Sequence, residues 1–353
     1  MSGEKERSIR APLLLMAFLF LFGSLSMLTW GVASAIKGPS LLGDGYDPST
    51  YGFDLESITV DVNHVVATGN SRDFLLPYRD PAHVSGKSVS DMNASRKRSW
   101  QKEVVSSDRV IGVSINGESR AYPLFIVNAH EIILDELGGV PIAVTYSPLI
   151  DGVGVFNRKI NGETVDFGVS GLLLDSSLLF YEVADSPELC SVYEQMSGEA
   201  ILGPRAGTAL KRIPGVVIHR WDVWLKDHPE TTVILRDPGS LGRYKRISYE
   251  RYFDGNSWLV TPRGEIPAGA KDRMLGVREV GTQEWTVLDL EALRAAANGN
   301  QVVERVIGDT PLRIELPSNL GRVNTLRILE GVELEFLPSL RISWVHRDHA
   351  ADS

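Results

Sequence analysis

The sequence predicts a β-rich α+β fold: a duplicated β-sheet unit with a few short helices, preceded by one N-terminal transmembrane helix. Three observations carry this expectation. Ala11 to Ile36 run twenty-six positions without a charged side chain. Short segments rich in branched residues and bounded by Gly, Pro, Asn or Asp outnumber the helical patterns. The chain beyond Ser106 also repeats its own pattern downstream.

Residues 1–10 read as a cytoplasmic tail and residues 11–36 as the anchor. A helix rises about 1.5 Å per residue, so roughly twenty apolar residues match a hydrocarbon core about 30 Å thick. Leu13 to Phe22 is the most apolar stretch in the chain. Lys5, Arg7 and Arg10 precede the run, whereas Lys37 is followed by Asp44, Asp47, Asp54, Glu56 and Asp61 before Arg72. Basic residues flanking a span stay on the cytoplasmic side, which places the bulk in a periplasm or its equivalent. The alternative is a removed signal peptide, since Ala33-Ser34-Ala35 has the small-x-small form of a cleavage site. Signal peptides carry an apolar core of about 7–15 residues, and this longer run favours the uncleaved anchor.

Residues 37–106 form a tether or arm that packs on the body. Gly38, Pro39, Gly43, Gly45, Pro48 and Gly52 interrupt any helical period, and Ser57 to Val62 alternates as a short strand would. The first β-rich repeat spans 107–265 and a second, degenerate one spans 266–353. Asp108-Arg109-Val110-Ile111-Gly112-Val113 returns as Asp272-Arg273-Met274-Leu275-Gly276-Val277. The same offset pairs Leu124 with Leu288 and Ile126 with Leu290, and a six-residue shift then aligns Leu137 to Ile142 with Ile307 to Leu312. In each copy two strands lead into a short helix and then into further strands.

Strands are expected at Val110–Ile115, Ile142–Tyr146, Thr164–Val169, Ser177–Glu182, Thr232–Leu235, Arg313–Leu316 and Glu333–Phe336. Asn116-Gly117, Asn161-Gly162 and Asp254-Gly255 supply hairpin turns, because Asn or Asp before Gly tolerates the positive φ of a tight turn. Helices are expected at Pro123–Glu136, Trp221–His228 and Leu288–Asn298.

The net charge of −9 excludes a nucleic-acid role, which needs a basic patch to displace counterions from phosphate. Arg96-Lys97-Arg98 is the one tight basic cluster and reads as a solvated turn. Cys190, the single cysteine, forms no intrachain disulfide and reads as a small apolar residue or a partly exposed free thiol. Neither a Gly-x-Ser-x-Gly elbow nor a phosphate-binding glycine loop ending in Lys-Ser or Lys-Thr is present.

Several motifs resemble one family in order. Ile111-Gly112-Val113, Asn116-Gly117-Glu118, Arg120 to Leu124, His130-Glu131-Ile132 and Pro141 to Tyr146 are similar to the bacterial and archaeal domain-of-unknown-function family numbered 3179. Phe167 to Leu172, Gln195 to Ile201 and Trp224 with His228-Pro229 continue the resemblance, which covers roughly Asp73 to Met274. It implies no established activity. Many members of that family read Thr-Tyr-Cys-Pro-Leu-Cys-Gly where this chain reads Thr145-Tyr146-Ser147-Pro148-Leu149-Ile150-Asp151-Gly152. A thiol pair on such a turn holds a soft metal or cycles as a dithiol, and Ser147 and Ile150 can do neither.

The candidate site belongs to the first copy, because His130 aligns with Asn300 and the stretch Thr145 to Gly154 has no partner in the second. His130 and Glu199 are the candidate acid–base residues, and Tyr146, Ser147, His130 and Glu199 the candidate ligand-binding set. His219 and His228 lack the spacing of a helical metal pair. No metal and no cofactor is expected. The aromatic residues Trp221, Trp224, Tyr244, Tyr249, Tyr252, Phe253 and Trp258 serve either a core or an interface. The favoured expectation is a single-pass, inner-membrane-anchored, non-catalytic protein whose periplasmic bulk binds and stabilises a larger membrane complex, respiratory, photosynthetic or transport. Its partners would be the bilayer through residues 11–36 and other subunits of that complex. The alternative is an enzyme or small-ligand receptor with a pocket around His130.

Overall fold

The computed structural model describes residues 42–98, 101–186, 189–247, 249–263, 266–297, 302–316, 327–331 and 333–344. The apolar run from Ala11 to Ile36 lies outside them, and among the described residues no helix is long and apolar enough to cross a membrane. What they form is a β-rich α+β body with several sheets and a few short helices.

The arm contributes β1 (Val65–Ala67), β2 (Tyr78–Arg79), β3 (His83–Ser85) and α1 (Val89–Ala94). Its three strands each join a different sheet of the body. The strand expected at Ser57–Val62 is absent. Asp54 and Asp61 instead accept hydrogen bonds from the Glu56 and Asn63 backbone N–H groups and cap two turns of 3-10 helix. Such Asx turns satisfy locally the groups a strand would have offered to a ladder.

Asn116 and Gly117, at φ 51° and 85°, close the hairpin of β4 (Arg109–Ile115) and β5 (Glu118–Pro123). Helix α2 (Leu124–His130) follows, then β6 (Ile132–Leu137), β7 (Val140–Ser147) and β8 (Gly152–Asn157). The helix expected to reach Glu136 therefore stops six residues earlier, at His130, where Glu131 turns to φ 58°. β6 is covered on both faces. Ile133 and Leu137 pack with Ile111, Tyr122 and Val144, while Ile132 and Leu134 pack with Phe167, Phe180 and Tyr193. A strand buried on both sides is apolar at successive positions and loses the period-two signal.

The chain then builds β9 (Lys159–Ile160), β10 (Glu163–Thr164), β11 (Phe167–Leu174), β12 (Ser177–Glu182), β13 (Val192–Glu194) and β14 (Ala200–Leu202). The strand expected at Thr164–Val169 is split, with Thr164 ending β10 and Phe167 starting β11. The sheet β1-β11-β12-β13-β14 covers the outer face of the sheet β2-β6-β7-β8 through an aromatic layer in which Phe167 meets Phe180 edge-on at 5.1 Å. β15 (Val217–Arg220) then pairs with β4, α3 (Trp221–Asp227) packs beneath it, and β16 (Thr232–Ile234) completes the sheet β15-β4-β5-β16-β3.

Asp254-Gly255 ends α4 (Glu250–Asp254) rather than turning a hairpin; Gly255 has an ordinary φ of −96°. Next come β17 (Arg273–Glu279), β18 (Thr286–Asp289) and α5 (Leu290–Ala296), whose N-terminus is capped by the Asp289 carboxylate. The expected helix start at Leu288 thus lies inside a strand, and the helix begins two residues later. β19 (Val302–Ile307), β20 (Thr310–Glu315), β21 (Arg327–Glu330) and β22 (Leu334–Leu340) follow. The order hairpin, helix, antiparallel strands is that of β4 to β8. β22 pairs antiparallel with β17 as β15 does with β4, setting Leu337 opposite Gly276 and Val217 opposite Gly112. A Cβ on Gly112 would lie 2.3 Å from the Trp224 ring, and one on Gly276 would lie 2.2 Å from the Trp344 ring. Between β8 and β15 stand the six strands β9 to β14; the described residues between β21 and β22 hold none.

Candidate functional site

His130 ends α2, and Tyr146 and Ser147 end β7. His130 is buried, with Nδ1 2.8 Å from the Leu76 carbonyl and Nε2 2.7 Å from the Tyr244 hydroxyl. A carbonyl only accepts, so Nδ1 carries the proton and Nε2 accepts from Tyr244. The Tyr244 oxygen in turn accepts from the Asp237 backbone N–H at 2.9 Å. Burial lowers the His130 pKa and keeps the ring neutral. Both ring nitrogens are occupied by partners that hold the arm and the loop before α4 in place.

Tyr146 belongs to a second buried network. Its hydroxyl donates to Asp151 Oδ1 at 2.9 Å, and Arg109 Nη2 lies 3.0 Å from both Asp151 oxygens. Burial, and then the Asp151 charge, push the Tyr146 phenol well above its ordinary range. Ser147 is buried and donates to the Ser176 carbonyl at 3.4 Å. Glu199 is exposed; its backbone N–H donates to Ser197 Oγ at 3.0 Å. The turn carboxylate of that region is Glu194, which accepts from the Met196 and Ser197 N–H groups at 2.7 Å each. His130, Tyr146, Ser147 and Glu199 thus each answer to a different partner.

The residue that sequence reasoning passed over is Glu131. It stands at φ 58°, a conformation costly for a non-glycine residue, directly after the helix. Its backbone is fixed at both ends, since its N–H donates to the Val127 carbonyl at 2.7 Å and its carbonyl accepts from Tyr146 N–H at 3.0 Å. Its carboxyl makes no hydrogen bond with the described residues, and burial raises its pKa to about 8. Tyr249, beside the Asn128 amide, feels the Glu131 charge, and Asn128 Oδ1 is itself buried without a hydrogen-bond partner. A carboxyl that stays protonated near neutral pH can donate a hydrogen bond or pass a proton. The signal available in the sequence was a lone acidic residue heading the apolar run Ile132-Ile133-Leu134.

Over this site lies α4. Ile150, in the turn Pro148 to Asp151, is fully buried and packs with Met196, Tyr252, Phe253 and Leu337. Of the aromatic residues weighed for an interface, Trp221, Trp224, Tyr244, Tyr252 and Phe253 are core. Ser170 is spent on the Leu172 N–H and the Leu179 carbonyl. Cys190 is buried, 3.6 Å from Arg72 Nη2. A cleft of about 610 Å³ opens beside Phe253, Trp258, Lys271 and Glu291. Its lysine is consumed, because Nζ donates to the carbonyls of Tyr252, Gly255 and Ser257 and rests on the Tyr252 and Trp258 rings. Among the described residues no group of three or more His, Cys, Asp or Glu side chains is placed to hold a metal ion.

The family model described as protein of unknown function (DUF3179) matches residues 88–351. The match begins later than the resemblance in the sequence and runs further, to residue 351. No curated protein and no solved structure matches the chain.

Proposed function

The chain belongs to the DUF3179 family, and from that premise we propose that it is a membrane-anchored, extracytoplasmic, non-catalytic protein that binds and stabilises a larger membrane complex. The observation that carries this reading is the uncharged run Ala11 to Ile36 with Lys5, Arg7 and Arg10 before it and an acidic stretch after it. It is supported by the engagement of His130, Tyr146 and Ser147 in bonds that hold elements together. On this reading residues 107–265 and 266–353 descend from one unit, the first having gained β9 to β14. The test is mild-detergent extraction of native membranes, affinity purification through a C-terminal tag, and mass spectrometry of what co-purifies. A stoichiometric complex that survives His130→Ala and is lost when residues 1–36 are deleted supports the proposal. Recovery of the protein alone, with a cleaved N-terminus, overturns it.

One observation favours a second reading, a proton-handling or small-ligand site. It is the half-buried Glu131 carboxyl beside Tyr249, which burial perturbs and which makes no hydrogen bond with the described residues. This reading shifts the centre of the pocket from His130 to its neighbour. It requires that Glu131→Gln abolish a ligand-dependent shift in thermal stability that Glu199→Gln leaves intact.

A further inference from the structure

One stretch of the body has the composition of a bilayer contact. Residues 238–263 hold Arg243, Lys245, Arg246, Arg251 and Arg263 against Glu250 and Asp254, five basic residues to two acidic, in a chain of net charge −9. Leu241 and Ile247 are each 54% exposed and Leu259 is 64% exposed. From Arg243 to Ile247 successive side chains point to opposite sides. Tyr244 turns inward to His130, and Arg246 turns inward to Asp108 and the Glu103 carbonyl, over the Phe125 ring. Arg243, Lys245 and Ile247 face solvent, with Leu241 exposed just before them. Arg243, Lys245 and Arg251 make no ion pair with the described residues, so their charge is available to a partner.

We propose that this face, formed by Leu241, Arg243, Lys245 and Ile247 with Arg251 beside it, docks on an anionic lipid surface. Cations without an ion pair among the described residues, flanked by exposed aliphatic side chains, match the two layers of an interface: phosphates for the guanidinium and ammonium groups, and the headgroup–acyl boundary for Leu241 and Ile247. The inward anchors Tyr244 and Arg246 hold the strip to the body, so contact with lipid would orient the whole domain. The proposal rests on the membrane-anchored reading for its location, and its test separates the two.

Full-chain protein is reconstituted in nanodiscs of phosphatidylcholine alone and of phosphatidylcholine with added phosphatidylglycerol, and amide hydrogen exchange is followed in peptides covering 238–263. Slowing by tenfold or more in the anionic discs alone, reversed by high salt, is the expected result. Each basic residue contributes about fivefold near an anionic surface, so Arg243→Gln, Lys245→Gln and Arg251→Gln together remove about 100-fold of docking. Leu241→Ser with Ile247→Ser abolishes the protection by the apolar route, while unchanged exchange in β4 to β7 certifies the fold of every variant. Equal exchange in both lipids, with the protein retained after an alkaline wash, overturns the docking and leaves the anchor standing. If the wash releases the protein, the anchor fails, and flotation of the full chain with the same lipids as vesicles decides the docking. Binding to anionic vesicles alone supports it, and no binding overturns it.

Discussion

Trp224 lies across Gly112, leaving no room for even a methyl group on the strand: a Cβ there would sit 2.3 Å from the indole ring. The indole is held from the other side as well. Its Nε1 donates to Thr231 Oγ1 at 2.9 Å, and His228 stacks on it at a centroid distance of 3.8 Å. Gly112→Ala must therefore displace a ring that cannot give way cheaply, and we expect it to cost about 1–3 kcal/mol. Trp224→Ala should cost about 3–5 kcal/mol through the cavity it leaves. Urea unfolding of the two variants checks both numbers. A neutral Gly112→Ala would show that the ring relaxes.

Asp151 ties β4 to the turn after β7 through Arg109 and Tyr146 and is fully buried. Asp151→Ala removes the buried carboxylate that Arg109 and Tyr146 share and should destabilise by about 3–5 kcal/mol. Tyr146→Phe removes one hydrogen bond to the same carboxylate and should cost about 1–2 kcal/mol. Denaturant midpoints that fall in the reverse order would show that the ion pair is dispensable.

The hairpin Asn116-Gly117, the helix after Arg220 and the strand Ser177–Glu182 were legible because each rests on local chemistry: a turn dipeptide, an amphipathic heptad, a run of strand formers bounded by turn residues. Ile132–Leu137 was not, because its burial on both faces is a tertiary fact that no window of sequence contains. Ser57–Val62 failed for the opposite reason: two aspartate caps outweighed an alternating pattern. His130 drew attention by residue type, yet its two hydrogen bonds come from Leu76 and Tyr244, far away in the chain. Glu131 escaped because only the fold draws its carboxyl partly out of water and leaves it without a hydrogen bond to the described residues.

His130 gives the body an acid-side sensitivity. Burial holds its pKa below the usual 6.5, so the folded state resists a proton that the unfolded chain takes up. Its contribution is fully present above about pH 6.5 and is lost as pH falls through the folded value. His130→Gln should flatten the fall in melting temperature between neutral and mildly acidic pH, while costing about 1–3 kcal/mol at pH 8 through the lost bond to Tyr244 or Leu76. A variant whose melting curve against pH runs parallel to that of the parent would place the acid sensitivity elsewhere.

Glu131, the next residue, acts in the opposite sense. Its folded pKa of about 8 lies above the ordinary 4.5, so the folded state keeps a proton that the unfolded chain has released. Below about pH 4.5 both states are protonated and nothing is lost; as pH rises from there through 8, stability declines, by at most about 5 kcal/mol for a shift of this size on a half-buried group. Glu131→Gln carries no titrating proton and mimics the neutral acid. It should match the parent near pH 4.5, exceed it progressively to pH 8, and then run parallel above. Guanidinium unfolding at pH 4.5, 6, 7 and 8.5 measures the difference directly. A Glu131→Gln variant no more stable than the parent at pH 8.5 means that the carboxylate finds water or a cation when it ionises, and the proton-handling reading of this site loses its foundation. A gain that opens between pH 4.5 and 8 means that the fold holds a neutral acid at physiological pH, at a cost that packing elsewhere must offset.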